Sequence, residues 1–239
     1  MHGRADRAKR RAMSDGSPFL IKICGLSTPE TLEAALAAGA DMIGLNFHPR
    51  SPRRVTLERA MELAAIARGR TEIVALVVDW SEREAAALAE ALDPDWFQFH
   101  GRETPEQTAA LRRAVGRPVM KALGIATGED LKAVAAYRDA ADLILLDAKP
   151  PKDAAFPGGH GKTFDWGLLA NLDPSQRFML SGGLDPANVA EAIQVTRPAG
   201  IDVSSGVESA PGVKDPARIA EFIASARKAA AAGQESLSA

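Results

Sequence analysis

The stretch FLIKICGLSTPETLEAALAAGADMIGLNF, residues 19–47, decides the fold, because two short apolar runs flank one segment of helical spacing. FLIKICG and MIGLNF have the length and branched apolar content of buried strands. PETLEAALAAGA between them is rich in alanine and leucine at helical intervals, and Thr28 before Pro29 marks where the helix begins. A threonine oxygen at that position accepts an otherwise orphaned N–H, and a proline in the first turn has none to lose. The unit is strand, helix, strand, which requires parallel strands and a right-handed crossover.

Outward from this stretch the unit recurs. EIVALVV, WFQFHG, VMKALGI, DLILLDA, FMLSGGL and GIDVSSGV bring the strands to eight, most of them starting about 23 residues after the one before. LERAMELAAIARG and DLKAVAAYRDAA read as further helices, and Thr104–Pro105, Asp185–Pro186 and Asp215–Pro216 repeat the cap-and-proline start. Eight such units predict an α/β fold of a single domain, a (β/α)8 TIM barrel over residues 18–230. A doubly wound sheet would carry a GxGxxG turn after its first strand, and LIKICG is followed by none. The polar, basic start at 1–17 reads as a disordered extension, with Met13 as an alternative initiator, and 231–239 as a flexible tail.

Composition narrows the function. Net charge is −2 with both signs interspersed, which argues against nucleic acid or an anionic membrane as a partner. The single cysteine, Cys24, can form no internal disulfide and no zinc cluster by itself, which fits a reducing cytoplasm and leaves no metal expected. No apolar run has the length of a membrane span and no signal peptide is evident. The chain is expected to act as a monomer or homodimer.

Side chains alternate along a strand, so Lys22 and Cys24 share one face and Ile21 and Ile23 the other. The same parity groups Gln98 with His100, Asp147 with Leu145 and Lys149, and Asp202 with Ser204. The inward set is read as Lys22, Cys24, Asn46, Asp79, Gln98, His100, Lys121, Asp147 and Asp202. Barrel interiors are ordinarily apolar, so this set implies a wet, functional mouth at the strands' C-terminal ends. A lone cysteine is by default an inert small apolar residue. Beside Lys22 it is expected to favour the thiolate and serve as a base. Asp147, at the end of an apolar strand, is expected to be partly buried and held neutral as an acid.

The turns SGGL and SSGVES after the seventh and eighth strands expose successive backbone amides, which makes Gly182, Gly183, Ser205 and Gly206 candidates for a phosphate cradle. HPRSPRRV brings Arg53 to the rim as a fork for a carboxylate. PGGHGKTFDW is not a phosphate-binding P-loop, since Phe156 stands where its first glycine is needed. It reads as a mobile loop over the mouth, ending where Asp165 caps a helix.

KICG, FHPRSPRRV, FQFHG, LLDAK, GKTFDW, LSGGL and DVSSGVE occur in this order. Together they resemble the phosphoribosylanthranilate isomerase family of tryptophan biosynthesis, from about Phe19 to the final helix. The resemblance implies a cofactor-independent Amadori rearrangement of a phosphosugar, N-(5-phosphoribosyl)anthranilate. It also implies Cys24 as general base, Asp147 as general acid, Arg53 on the anthranilate carboxylate and the two glycine loops on the phosphate. Lys22, His100 and Asp202 would support them. Phe99 replaces the leucine common in that family, and Asn46 stands where an apolar residue is frequent. The histidine-pathway isomerase is the nearest alternative, but it is expected to carry an aspartate where Cys24 stands. The lysine and glutamate set of indole-glycerol-phosphate synthase is not apparent. A phosphate-binding barrel without catalysis would have lost the acid or the base, and both are present.

Overall fold

The computed structural model describes residues 19–149, 161 and 163–235. Eight parallel strands close into one barrel in sequence order: β1 (Leu20–Cys24), β2 (Met42–Asn46), β3 (Glu72–Val77), β4 (Trp96–Phe99), β5 (Val119–Ile125), β6 (Leu143–Ala148), β7 (Phe178–Leu180) and β8 (Gly200–Val203). The helices between and after them are α1 (Pro29–Ala38), α2 (Leu57–Ala67), α3 (Glu82–Leu92), α4 (Pro105–Val115), α5 (Gly128–Leu131), α6 (Val189–Thr196) and α7 (Pro216–Glu235). The expected barrel and all eight strand positions are therefore observed.

Capping follows the local chemistry. The hydroxyls of Thr28 and Thr104 accept from Thr31 and Gln107 N–H, and Asp215 accepts from Ala217 and Arg218. Asp185 instead caps a turn, accepting from Ala187 and Asn188, and α6 begins only at Val189. The fifth unit also departs from expectation. DLKAVAAYRDAA supplies only the last two residues of the single turn α5 and then a 3₁₀ segment, Val134–Tyr137, in place of a continuous helix. The segment after β6 is closed by a 3₁₀ helix, Trp166–Asn171, and Asp165 accepts from Gly167 N–H at its start. The N-terminal extension and most of the mobile-loop reading fall on residues outside those described; of the tail at 231–239, residues 231–235 belong to α7 and the rest lie outside those described.

Parity divides the core in two. Ile21, Ile23, Ile43, Leu45, Phe97, Phe99, Ile144 and Leu146 face outward into the layer beneath the helices. Met42, Val74, Met120, Ala122, Leu143, Leu145 and Met179 fill the interior. The face at the strands' N-terminal ends is pinned by an aspartate placed just before each of β2, β4 and β6. Asp41, Asp95 and Asp142 accept from the amides of Ile21, Ile73 and Val119 on the preceding strands. These contacts hold the scaffold at the end away from the polar mouth, where stability and chemistry are separated in barrels of this class.

Lys121 corrects the inward set. Gln98 pairs with Met120, so Met120 points inward and Lys121 outward, where its ammonium meets Glu103 at 2.7 Å. Asp79 is also displaced. It adopts φ 53° in the loop after β3, accepts from Arg102 N–H and lies outside the mouth. Lys149 turns to the surface and pairs with Asp130.

Candidate active site

The strand ends surround a cavity, open to solvent, lined by Cys24, Gln98, His100, Asp147, Asp202 and the loops carrying Arg53, Gly182, Gly183 and Ser205. Cys24 ends β1, and Asp147 comes from β6, three strands away around the ring. The two candidate proton-transfer groups therefore meet in one space.

Below the thiol, Lys22 is fully buried with its ammonium 2.8 Å from Asp202 Oδ1, and Ser181 Oγ donates to the other oxygen. Burial works against this ammonium, but Asp202 and Cys24 outweigh it and hold Lys22 above the ordinary lysine range. The thiol behaves otherwise than the sequence suggests. Burial pushes Cys24 up, and the charge of Lys22, which pulls it down, does not overcome that together with the repulsion from Asp202. The lysine's charge is largely answered by its carboxylate partner. Gly44, next to Cys24 across the β1–β2 ladder, is needed for space: a Cβ there would lie 2.8 Å from the sulfur and 3.1 Å from Lys22 Nζ.

Asp147 is buried, as expected, but its surroundings are polar. Its Oδ1 accepts from Ala148 N–H at 2.9 Å, and His100 Nε2 lies 3.3 Å from Oδ2. Asn46, unexpected at its position, is buried, accepts from His48 N–H and donates to Ser51 Oγ, so it ties down the start of the arginine loop. His48 beside it is pushed down by burial, aided by Arg50, and its Nε2 is a buried atom with no hydrogen-bond partner among the described residues.

Arg53 does reach the cavity, but as a buried side chain rather than an open rim fork. Its Nε and Nη2 donate to both oxygens of Glu208 at 2.7 and 2.9 Å. Glu208 and Lys214 come from a two-stranded sheet after β8, β9 (Glu208–Ala210) and β10 (Val213–Lys214), which the sequence reading did not foresee. Lys214 Nζ donates to Glu208 and to the Ser204 carbonyl, each at 2.8 Å. Burial raises Glu208, but Arg53 and Lys214 outweigh it and hold the carboxyl below its ordinary range. Both partners lie in loop sequence without strand periodicity, so only the Glu and Lys themselves could have signalled them.

The glycine loops have the geometry of an anion cradle. Gly182 and Gly183 take φ of 90° and 64°, a region that side chains disfavour. Ser205 and Gly206 open a short 3₁₀ turn, and a Cβ on Gly206 would fall 1.8 Å from the Leu184 carbonyl oxygen. The two loops are thus in backbone contact. Among the described residues, the amides of Gly182, Gly183, Ser205 and Gly206 donate to no protein acceptor. Convergent free N–H groups of this kind favour an anion. No cluster of three or more metal-ligating side chains occurs among the described residues, and no helix there is long and apolar enough to cross a membrane.

Comparison with known proteins agrees with this geometry. A family model described as N-(5′-phosphoribosyl)anthranilate (PRA) isomerase matches residues 21–225. The N-(5′-phosphoribosyl)anthranilate isomerase of Afipia carboxidovorans is 57% identical over 211 residues, 88% of this chain and 90% of that protein. That of Rhodopseudomonas palustris is 56% identical over 208 residues, 87% and 95% of the two chains. The phosphoribosyl anthranilate isomerase of Thermotoga maritima superposes with a TM-score of 0.78 at 36% identity, covering 88% of this chain and 99% of its own. A phosphoribosyl anthranilate isomerase in complex with reduced 1-(o-carboxyphenylamino)-1-deoxyribulose 5-phosphate superposes at 0.74 with 31% identity and the same coverage. With the matched region spanning the whole barrel, the chain belongs to the N-(5′-phosphoribosyl)anthranilate isomerase family.

Proposed function

We propose that Cys24 and Asp147 are the base and acid with which this isomerase of tryptophan biosynthesis converts N-(5-phosphoribosyl)anthranilate to 1-(2-carboxyphenylamino)-1-deoxyribulose 5-phosphate. The observation that carries the assignment is their convergence, from β1 and β6, on one cavity whose rim presents glycine-loop amides that are unpaired among the described residues. Asp147 gives its proton to the ribose ring oxygen. The C1–O bond breaks as the nitrogen lone pair forms the iminium. The Cys24 thiolate then removes the C2 proton, the released pair forms the C1–C2 double bond and quenches the iminium, and the enaminol tautomerises to the ketone. The bond and electron changes all fall within one substrate, C2 being oxidised as C1 is reduced, and only protons pass to and from the enzyme, so the reaction calls for no cofactor.

Gly182, Gly183, Ser205 and Gly206 would hold the phosphate by main-chain amides. Arg53, with its guanidinium plane fixed by Glu208, would meet the anthranilate carboxylate. Lys22 and Asp202 support the thiol from below. The substrate is a small phosphosugar, and we place the enzyme in the cytoplasm as a monomer or homodimer without nucleic-acid or membrane partners.

The test follows the loss of substrate fluorescence with wild type, Cys24→Ala and Asp147→Asn. Each variant should lose about 10²- to 10⁴-fold in turnover while binding a reduced product analogue near-normally. Full activity in either overturns the assignment.

A further inference from the structure

We infer that Gln98 and His100 are positioning residues for Asp147: the Gln98 amide fixes the ring and tautomer of His100, whose Nε2–H then meets the carboxylate that Asp147 becomes on giving up its proton. The inference rests on the acid role proposed for Asp147.

Gln98 is fully buried on the inner face of β4, and its Nε2 lies 3.0 Å from His100 Nδ1. An amide nitrogen only donates, so Nδ1 accepts and a neutral ring carries its proton on Nε2. That nitrogen is the one 3.3 Å from Asp147 Oδ2. Among the described residues Gln98 Oε1 meets no partner, and the contact with His100 is the amide's one side-chain hydrogen bond there. β5 lies between β4 and β6, and it sets Gly124, which has no side chain, in register with Asp147.

The backbone carrying His100 is anchored as well. His100 N–H donates to the Val77 carbonyl, and the Glu103 carboxylate accepts from the amides of Gly101 and Asp79 and from Lys121 Nζ. A Cβ on Gly101 would lie 2.3 Å from Asp79 Oδ1, so this turn admits only glycine without rearrangement. Lys121, which the sequence reading placed in the mouth, acts from behind the sheet as part of this anchor.

Asp147 Oδ1 accepts from Ala148 N–H, and His100 Nε2 stands 3.3 Å from Oδ2. Hydrogen bonds to a carboxylate are stronger than those to a carboxylic acid, so these donors draw closer as the proton departs. Donors fixed where charge develops lower the barrier of the step that creates it.

Nitrogen-15 spectra of ring-labelled histidine in the wild-type enzyme should place the His100 proton on Nε2 rather than Nδ1, and Gln98→Met should lose that fixed tautomer. Gln98→Met and His100→Asn should each reduce kcat by roughly 10- to 100-fold with KM held within about threefold. Because Gln98 acts through His100, the double variant should be no slower than His100→Asn alone. A wild-type ring protonated on Nδ1, KM rising in step with the loss of kcat, or a double variant whose defect is the product of the two single ones would overturn the inference. Asp147→Asn separates the two levels: if it stays active, both the acid role and the inference fall. If it is inactive while His100→Asn turns over at the wild-type rate, only the inference falls.

Discussion

Replacing Lys22 by methionine probes the ion pair on which the thiol rests. The ammonium is fully buried, 2.8 Å from an Asp202 carboxylate that is itself 4% exposed, and the only other hydrogen bond to that carboxylate among the described residues is the 3.3 Å contact from Ser181. Lys22→Met keeps the apolar stem and leaves Asp202 as an uncompensated buried charge. Removing one partner of such a pair costs about 3–5 kcal/mol. For a chain of this size each kcal/mol lowers Tm by about 2–4 °C, so thermal unfolding followed by circular dichroism should show a drop of roughly 6–20 °C. Lys22→Met/Asp202→Asn removes both charges, and most of that loss should return, because a buried pair is often no more stable than neutral groups of similar shape. Turnover should not return with it. The thiol has lost the charge and hydrogen bond that oppose its burial, and each unit by which it rises costs about tenfold in thiolate. The reasoning is refuted if Lys22→Met melts within about 2 °C of wild type, or if the double variant turns over at the wild-type rate.

Gly44→Ala would place a methyl 2.8 Å from the Cys24 sulfur. The variant should fold, with kcat lower by about 10²-fold through displacement of the base and KM little changed; an unchanged kcat would show that the sulfur can shift freely. Gly206→Ala would drive a Cβ to 1.8 Å from the Leu184 carbonyl oxygen and part the two phosphate loops. Charge-assisted bonds of about 1.5–3 kcal/mol are at stake, so KM should rise by roughly 10- to 100-fold in steady-state kinetics, and a wild-type KM would exclude these loops from the phosphate site. Burial holds the Cys24 thiol above the ordinary range despite Lys22. A raised pKa means less thiolate at every pH below it, so alkylation of the free enzyme by iodoacetamide should be slow at neutral pH and still accelerating above about pH 9. A rate that levels off below about pH 8 would contradict that.

The residue chemistry of single segments was legible in the chain. Ile21 and Ile23 against Lys22 and Cys24 gave the two faces of β1, because strand parity is a local property of the backbone. Thr28, Thr104 and Asp215 marked helix starts, because a cap is satisfied within three residues of itself. The eightfold unit determined the barrel, and the barrel determined that Cys24 and Asp147 would share a mouth.

What failed to be legible depended on partners far along the chain. DLKAVAAYRDAA has helical composition, yet only its first two residues, Asp130 and Leu131, are α-helical. Lys121 changed sides because register is set between strands, and Asp79 left the mouth because its loop turns back onto Arg102. Arg53 is held by Glu208, 155 residues further on, and Lys214 reaches Glu208 only because β9 and β10 pair. Cys24 was read as activated by its lysine neighbour, but the balance among burial, Lys22 and Asp202 is a sum over three-dimensional distances, and burial prevails in it. The sequence by itself determined the fold and the ends of the strands that carry the chemistry, since both follow from periodicity and local caps. Only the tertiary structure decided which charges answer one another, because electrostatic energy depends on separation and desolvation, and neither is a property of sequence spacing.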